Sequence, residues 1–159
     1  MTPLRGWAPK GKRLVDYTPH GHWKTTTFIA ALRHDEITAP SVFDEPINGT
    51  SFVAWVEQQL VQTLKAGDVV VMDNLSSHKV AGVKEAIEAA GATILYLPPY
   101  SPDLNPIEQV FSKLKTLLRK AAARTVDTLW TAIGNLLDNF SPQECTNYLA
   151  NSGYRANLI

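Results

Sequence analysis

With 159 residues, the chain is long enough for one domain with its own core. Its 45% hydrophobic and 19% charged residues suit a globular protein, and no run approaches the roughly 20 apolar residues of a membrane span. Formal net charge is zero, which excludes a uniformly basic coat for nucleic acid. The opening residues lack the apolar core of a signal peptide, and a lone Cys145 cannot form an internal disulfide, so a reducing, cytoplasmic setting is expected.

In chain order, residues 1–13 read as an extended, basic lead-in broken by Gly and Pro. Residues 14–17 and 23–31 read as two strands joined by a turn at 18–22, which supplies the Pro and Gly of a hairpin loop. Ile37 to Ile47 reads as a third antiparallel strand interrupted by Pro40 and Pro46. Asn48 opens a helix to Leu64, with Phe52, Trp55, Val56 and Leu60 near helical spacing. Residues 68–72 and 92–97 read as short buried strands, because both are dominated by apolar runs. Between them residues 84–90 form a helix closed by Gly91.

The segment from Pro106 has the clearest pattern. Ile107, Val110, Phe111, Leu114, Leu117 and Leu118 share one helical face, and Glu108, Ser112, Lys115 and Arg119 form a stripe beside it. Thr125 opens another amphipathic helix, and Ser141 with Glu144 caps a last short one. No repeat or linker divides the chain, so residues 1–159 are read as a single α/β domain.

Strand, crossover helix and strand make a βαβ unit with parallel strands. Ligands of such sheets collect beyond the carboxyl ends of the strands. Asp73 stands at one such end, and Glu108 follows the neighbouring strand after a proline-rich loop. Two carboxylates in one crevice repel each other unless they share a proton or a cation. Plainer readings stand beside this one. Asn105, Pro106 and Glu108 match a capping box, and Asp73 with Asn74 matches a strand-to-helix turn. His20 and His22 fit a hairpin loop rather than zinc, since no Cys or His partners follow at zinc spacing. The four tryptophans and Cys145 are expected in the core.

Charge is segregated along the chain. Lys113, Lys115, Arg119, Lys120 and Arg124 fall within residues 109–124 with no acid among them, whereas residues 35–64 carry acids without Lys or Arg. A neutral protein can thereby present a basic face to phosphates. Lys115, Arg119 and His78 are the candidate DNA contacts.

Residues 73–79 (DNLSSHK) and 97–108 (LPPYSPDLNPIE) resemble the two motifs of DDE transposases of the mariner superfamily, in particular the bacterial insertion sequence 630 family. The 34 residues between Asp73 and Glu108 match the interval typical of that superfamily. Residues 19–27 and 46–49 also resemble family segments. The resemblance implies a ribonuclease-H-like mixed sheet flanked by helices. It implies Mg²⁺, with Mn²⁺ able to replace it, held by Asp73 and Glu108 as catalytic carboxylates. The implied partners are transposon ends and target DNA, with no membrane.

Mg²⁺ takes oxygen ligands and keeps several waters, so few carboxylates suffice. An ion pair in such a site activates the attacking oxygen and stabilises the leaving one. The family's first catalytic Asp, on the central strand, precedes the segment that this chain matches. Its helix-turn-helix region has no counterpart among these residues. Asp16 falls on the following strand in this match and does not fill the place. Two outcomes are expected from this pattern. Either the missing piece comes from a second transposase subunit or an upstream-frame product, or the chain is a catalytically inactive remnant that at most binds DNA or intact transposase.

Overall fold

The computed structural model describes residues 6–15 and 25–154. Asp16, His20 and His22 and the turn expected at 18–22 lie outside these residues. Leu14 and Val15 are exposed and belong to no strand among the described residues, so the strand expected at 14–17 is not seen in its described half.

The first strands are β1 (Thr27–Leu32) and β2 (Ile37–Phe43), paired antiparallel. The Arg33 N–H donates to Glu36 O (2.8 Å) and closes the turn between them. The register slips between Ile29 and Ala31, where Ala39 takes a left-handed φ of 49° ahead of Pro40. A bulge suits proline, which has no N–H to give a ladder. Trp55 Nε1 donates to Ala39 O (2.9 Å) and pins that bulge against the next helix. β2 thus ends four residues before Ile47, the end read from sequence.

Helix α1 (Gly49–Trp55) is capped by Asn48, whose Oδ1 accepts the Ser51 N–H at 2.9 Å. It continues through a widened turn, Val56–Leu60, and a tight one, Val61–Thr63, so the expected helix is present but irregular in its second half. Strand β3 (Val69–Met72), helix α2 (Val83–Ala89) and strand β4 (Thr93–Tyr96) form the βαβ unit, with β3 and β4 parallel and in register from Val69↔Thr93 to Met72↔Tyr96. Both strands were expected to be wholly buried. Instead Val70, Met72, Ile94 and Tyr96 pack on the core, while Val69 and Leu95 are 58% and 50% exposed. The hydrophobic runs therefore serve one covered face, as the pleat dictates.

Three helices complete the chain: α3 (Ile107–Ala121), α4 (Val126–Leu137) and α5 (Pro142–Asn151). Two apolar clusters result. One joins Phe52, Trp55, Val56 and Leu60 to Met72, Val83 and Ile87; the other joins Val110, Leu114 and Leu118 to Ile133, Phe140 and Cys145. Successive side chains of β1 point alternately to the two, Ile29 and Ala31 to the first, Phe28 and Leu32 to the second. The β1–β2 sheet is therefore covered on both faces. Cys145 is fully buried, as expected, but of the tryptophans only Trp55 is core: Trp7 and Trp130 are exposed, and Trp23 lies outside the described residues.

Candidate active site

Asp73 follows the last residue of β3, at the end where the Leu97 N–H still bonds Met72 O (2.8 Å). Its Oδ1 accepts the Leu75 N–H at 3.2 Å, the local turn that Asp-Asn sequences favour. That bond fixes one carboxylate oxygen and leaves Oδ2 without a hydrogen bond to a described residue. Next to it, Asn74 Oδ1 is buried without a hydrogen-bond partner. His78 Nδ1 stands 2.7 Å from Asp73 Oδ1, in close contact but outside hydrogen-bonding alignment.

Glu108 occupies the first turn of α3. The expected capping box is not made. Asn105 donates its N–H to Pro102 O (3.0 Å) in the tight turn Pro102–Leu104, so that donor is taken. The Glu108 N–H bonds the backbone O of Asn105 (3.1 Å), and no side chain caps the helix. The Glu108 carboxylate is thus exposed, with no hydrogen bond or ion pair to a described residue.

What fixes this helix start is α5, an anchor the sequence pattern does not reveal. Gln109 Nε2 donates to Tyr148 O (3.0 Å) and Ser152 Oγ (3.2 Å). Asn151 Nδ2 donates to Gln109 Oε1 (3.2 Å). The Tyr154 hydroxyl donates to Leu104 O (2.8 Å), on the loop just before the helix. A glutamine beside an active-site candidate carries no pattern of its own, and only the return of α5 gives it meaning.

Asp73 and Glu108 border one cavity of about 500 Å³. Its walls include all of β1 and β3, with Phe52 and Trp55 on one side and Ile107 and Phe111 on the other. His78 and Asn105 also line it, whereas Lys115 and Arg119 do not. Lys115 is exposed and Arg119 half-buried, neither in an ion pair with a described residue. Lys113, from the same basic run, is committed elsewhere: its Nζ donates to Glu144 (2.6 and 2.8 Å) and to Asn139 O (2.8 Å). The Lys113 ammonium and then the Tyr148 hydroxyl hold the Glu144 carboxyl below the usual carboxylate range. Glu144 thus turns away from the capping box expected with Ser141, although the Ser141 Oγ still accepts the Glu144 N–H (3.3 Å).

Among the described residues, no three of His, Cys, Asp and Glu gather as a metal cluster. The carboxylates at the cavity are Asp68, which is bonded to Arg33, and Asp73 and Glu108, with the unpartnered amide oxygen of Asn74 adjacent and the His78 ring beside Asp73. Carboxylate and amide oxygens suit hard divalent cations such as Mg²⁺ or Mn²⁺, whereas zinc prefers nitrogen and sulfur. The residues present therefore fit a Mg²⁺-type ion.

In this α/β fold, Asp73 at the carboxyl end of a parallel strand pair and Glu108 on the helix that follows it thus border one cleft. The chain belongs to the DDE superfamily endonuclease family, whose model matches residues 1–130. Among solved structures it is similar to the Mos1 strand transfer complex, with 17% identity, a TM-score of 0.55, and coverage of 97% of this chain and 51% of that one. It is also similar to the Mos1 transposase paired-end complex with left transposon end (16%, TM-score 0.51, 97% and 52%). A third is the Mos1 mariner paired end complex with Mn (17%, TM-score 0.50, 94% and 51%). At such identities the likeness is one of fold. The chain spans about half the length of these chains. Comparison with curated proteins finds no match.

Proposed function

We propose that the chain is the catalytic part of a DNA transposase of the insertion sequence 630 type, built to cut transposon ends and join them to target DNA. The observation that carries this reading is that Asp73 and Glu108 border the same cavity, within a chain of the DDE endonuclease family. The neighbouring structures are transposase complexes with transposon ends, one of them with Mn, which favours DNA and a divalent cation as partners. Asp73 Oδ2 and the Glu108 carboxylate would hold Mg²⁺ or Mn²⁺. When bound, the metal supplies charge neutralisation and an activated oxygen for in-line displacement at phosphorus. The chain's own part is to hold Asp73 by its Leu75 bond and Glu108 by the α3–α5 anchor, at the mouth of an apolar cavity.

The sheet is read as ribonuclease-H-like but short of its middle strand, and with it the first catalytic Asp. Support comes from the cavity walls. Every residue from Thr27 to His34 and from Asp68 to Asp73 borders the space, as strand edges do; a sheet face would contribute alternate residues. Among the described residues β1 pairs only with β2, and β3 only with β4. Arg33, just past the end of β1, bonds Asp68, just before β3, through Nη1–Oδ2 (2.8 Å) and Nη2–Oδ1 (3.2 Å). That pair sets the two strands in opposite directions, so one strand between them would lie antiparallel to β1 and parallel to β3. It would be apolar on both sides, between the two core clusters.

On this reading the 159-residue chain alone does not nick transposon-end DNA with Mg²⁺. The test is a nicking assay with and without a second polypeptide that supplies the strand and its Asp. Restored activity supports an enzyme component, while continued silence supports a remnant that at most binds DNA or intact transposase. Robust nicking by the chain alone, lost in both Asp73→Asn and Glu108→Gln, would overturn the incomplete-site reading.

A further inference from the structure

His78 invites the obvious reading of a phosphate contact, but its surroundings give it other work. The short turn Ser76–Lys79 carries it back over the end of β3. Its ring stacks on Phe52, with centroids 4.2 Å apart and planes 28° from parallel. The Tyr96 hydroxyl donates to His78 O (3.1 Å), so the backbone is fixed as well as the ring. The side chain keeps 17% of its accessible surface, and Nδ1 has none to speak of. That buried nitrogen lies 2.7 Å from Asp73 Oδ1, the oxygen that also accepts the Leu75 N–H.

Burying an imidazole nitrogen without an aligned partner is unfavourable, so its placement calls for a compensating role. A small rotation of the Asp73 carboxylate would complete the bond. We infer that His78 is a positioning residue for Asp73: anchored by Phe52 and Tyr96, it holds Oδ1 so that Oδ2 is presented to a divalent cation. The inference rests on the metal reading of Asp73 and Glu108. Groups that hold a metal ligand in place are worth about 10–100-fold in metal affinity.

The test is a Mn²⁺ titration of the 159-residue chain followed by electron paramagnetic resonance, with circular dichroism as the folding control. His78→Phe keeps a ring against Phe52 but removes the nitrogen, and is expected to weaken Mn²⁺ binding by about 10–100-fold with the fold intact. His78→Asn places an amide nitrogen near the Nδ1 position and is expected to recover part of that loss. A merely structural role predicts the reverse order, with Phe at least as good as Asn. Wild-type affinity in His78→Phe, in a chain that binds Mn²⁺ through Asp73, overturns the inference and leaves the metal reading standing. No Mn²⁺ binding by the wild type overturns both. Should His78→Phe unfold, His78→Asn decides: affinity within a factor of a few of wild type supports the role, and affinity no better than that of folded Asp73→Asn overturns it.

Discussion

At the scale of single residues, the carboxylates of the cavity differ in what they are bound to: Asp68, Asp73 and Glu108 all border it. Asp68 and Glu144 are each taken up by a cation, Asp68 by Arg33 and Glu144 by Lys113, while Glu108 has no described partner. The hydrogen bond from Arg33, then the backbone bond from Lys65, holds the Asp68 carboxyl below its ordinary range. A carboxyl lowered by folding adds stability above its unfolded value and loses it as pH falls through the folded one. Acid unfolding should therefore set in below about pH 4, with Asp68 and Glu144 as contributors. Asp68→Asn should cost about 1–2 kcal/mol at pH 7 and flatten the acid limb of a urea-stability profile. A mutant profile parallel to wild type would contradict this. The place of Asp73 at the end of β3 was legible, because it follows an apolar run. The freedom of Glu108 was not, since sequence cannot tell that Asn105 spends its N–H on Pro102.

Elements carry the site by the way they end and return. α3 was the best-marked helix in the sequence, and its buried positions Val110, Leu114 and Leu118 fall on the face that periodicity assigned. Leu114→Ala should cost about 2–5 kcal/mol in denaturant unfolding, and a cost under ~1 kcal/mol would mean that the face is not core. Gly91 turns the chain from α2 into β4 at φ 80°, where an added Cβ would meet Ala66 at 3.2 Å. Gly91→Ala should lower stability by about 1–2 kcal/mol, checked by thermal unfolding. The βαβ unit was readable because runs of β-branched residues and glycine stops are local signals. The bulge at Ala39 and the tie from Gln109 to α5 were not, because both depend on partners 16 residues or more away.

For the molecule as a whole, the fold brings the acids to one cleft and leaves Lys115 and Arg119 on the exposed flank of α3. If that flank meets DNA, Lys115→Ala with Arg119→Ala should reduce the slope of log affinity against log salt by about 2. An unchanged slope in a fluorescence anisotropy titration would remove those residues from the interface. The class α/β was legible from the order of elements. The open space between β1 and β3 was not, since residues that line an unpaired edge look the same in sequence as residues that pair.

The central claim is that Asp73 and Glu108 act on one cation together, and a Mn²⁺-binding cycle over Asp73→Asn, Glu108→Gln and the double variant tests it most directly. Each single change should weaken binding by at least about tenfold, roughly 1.4 kcal/mol, and the double change should add little to the more damaging single one. Wild-type affinity in either single variant, or fully independent losses in the double, would contradict the account.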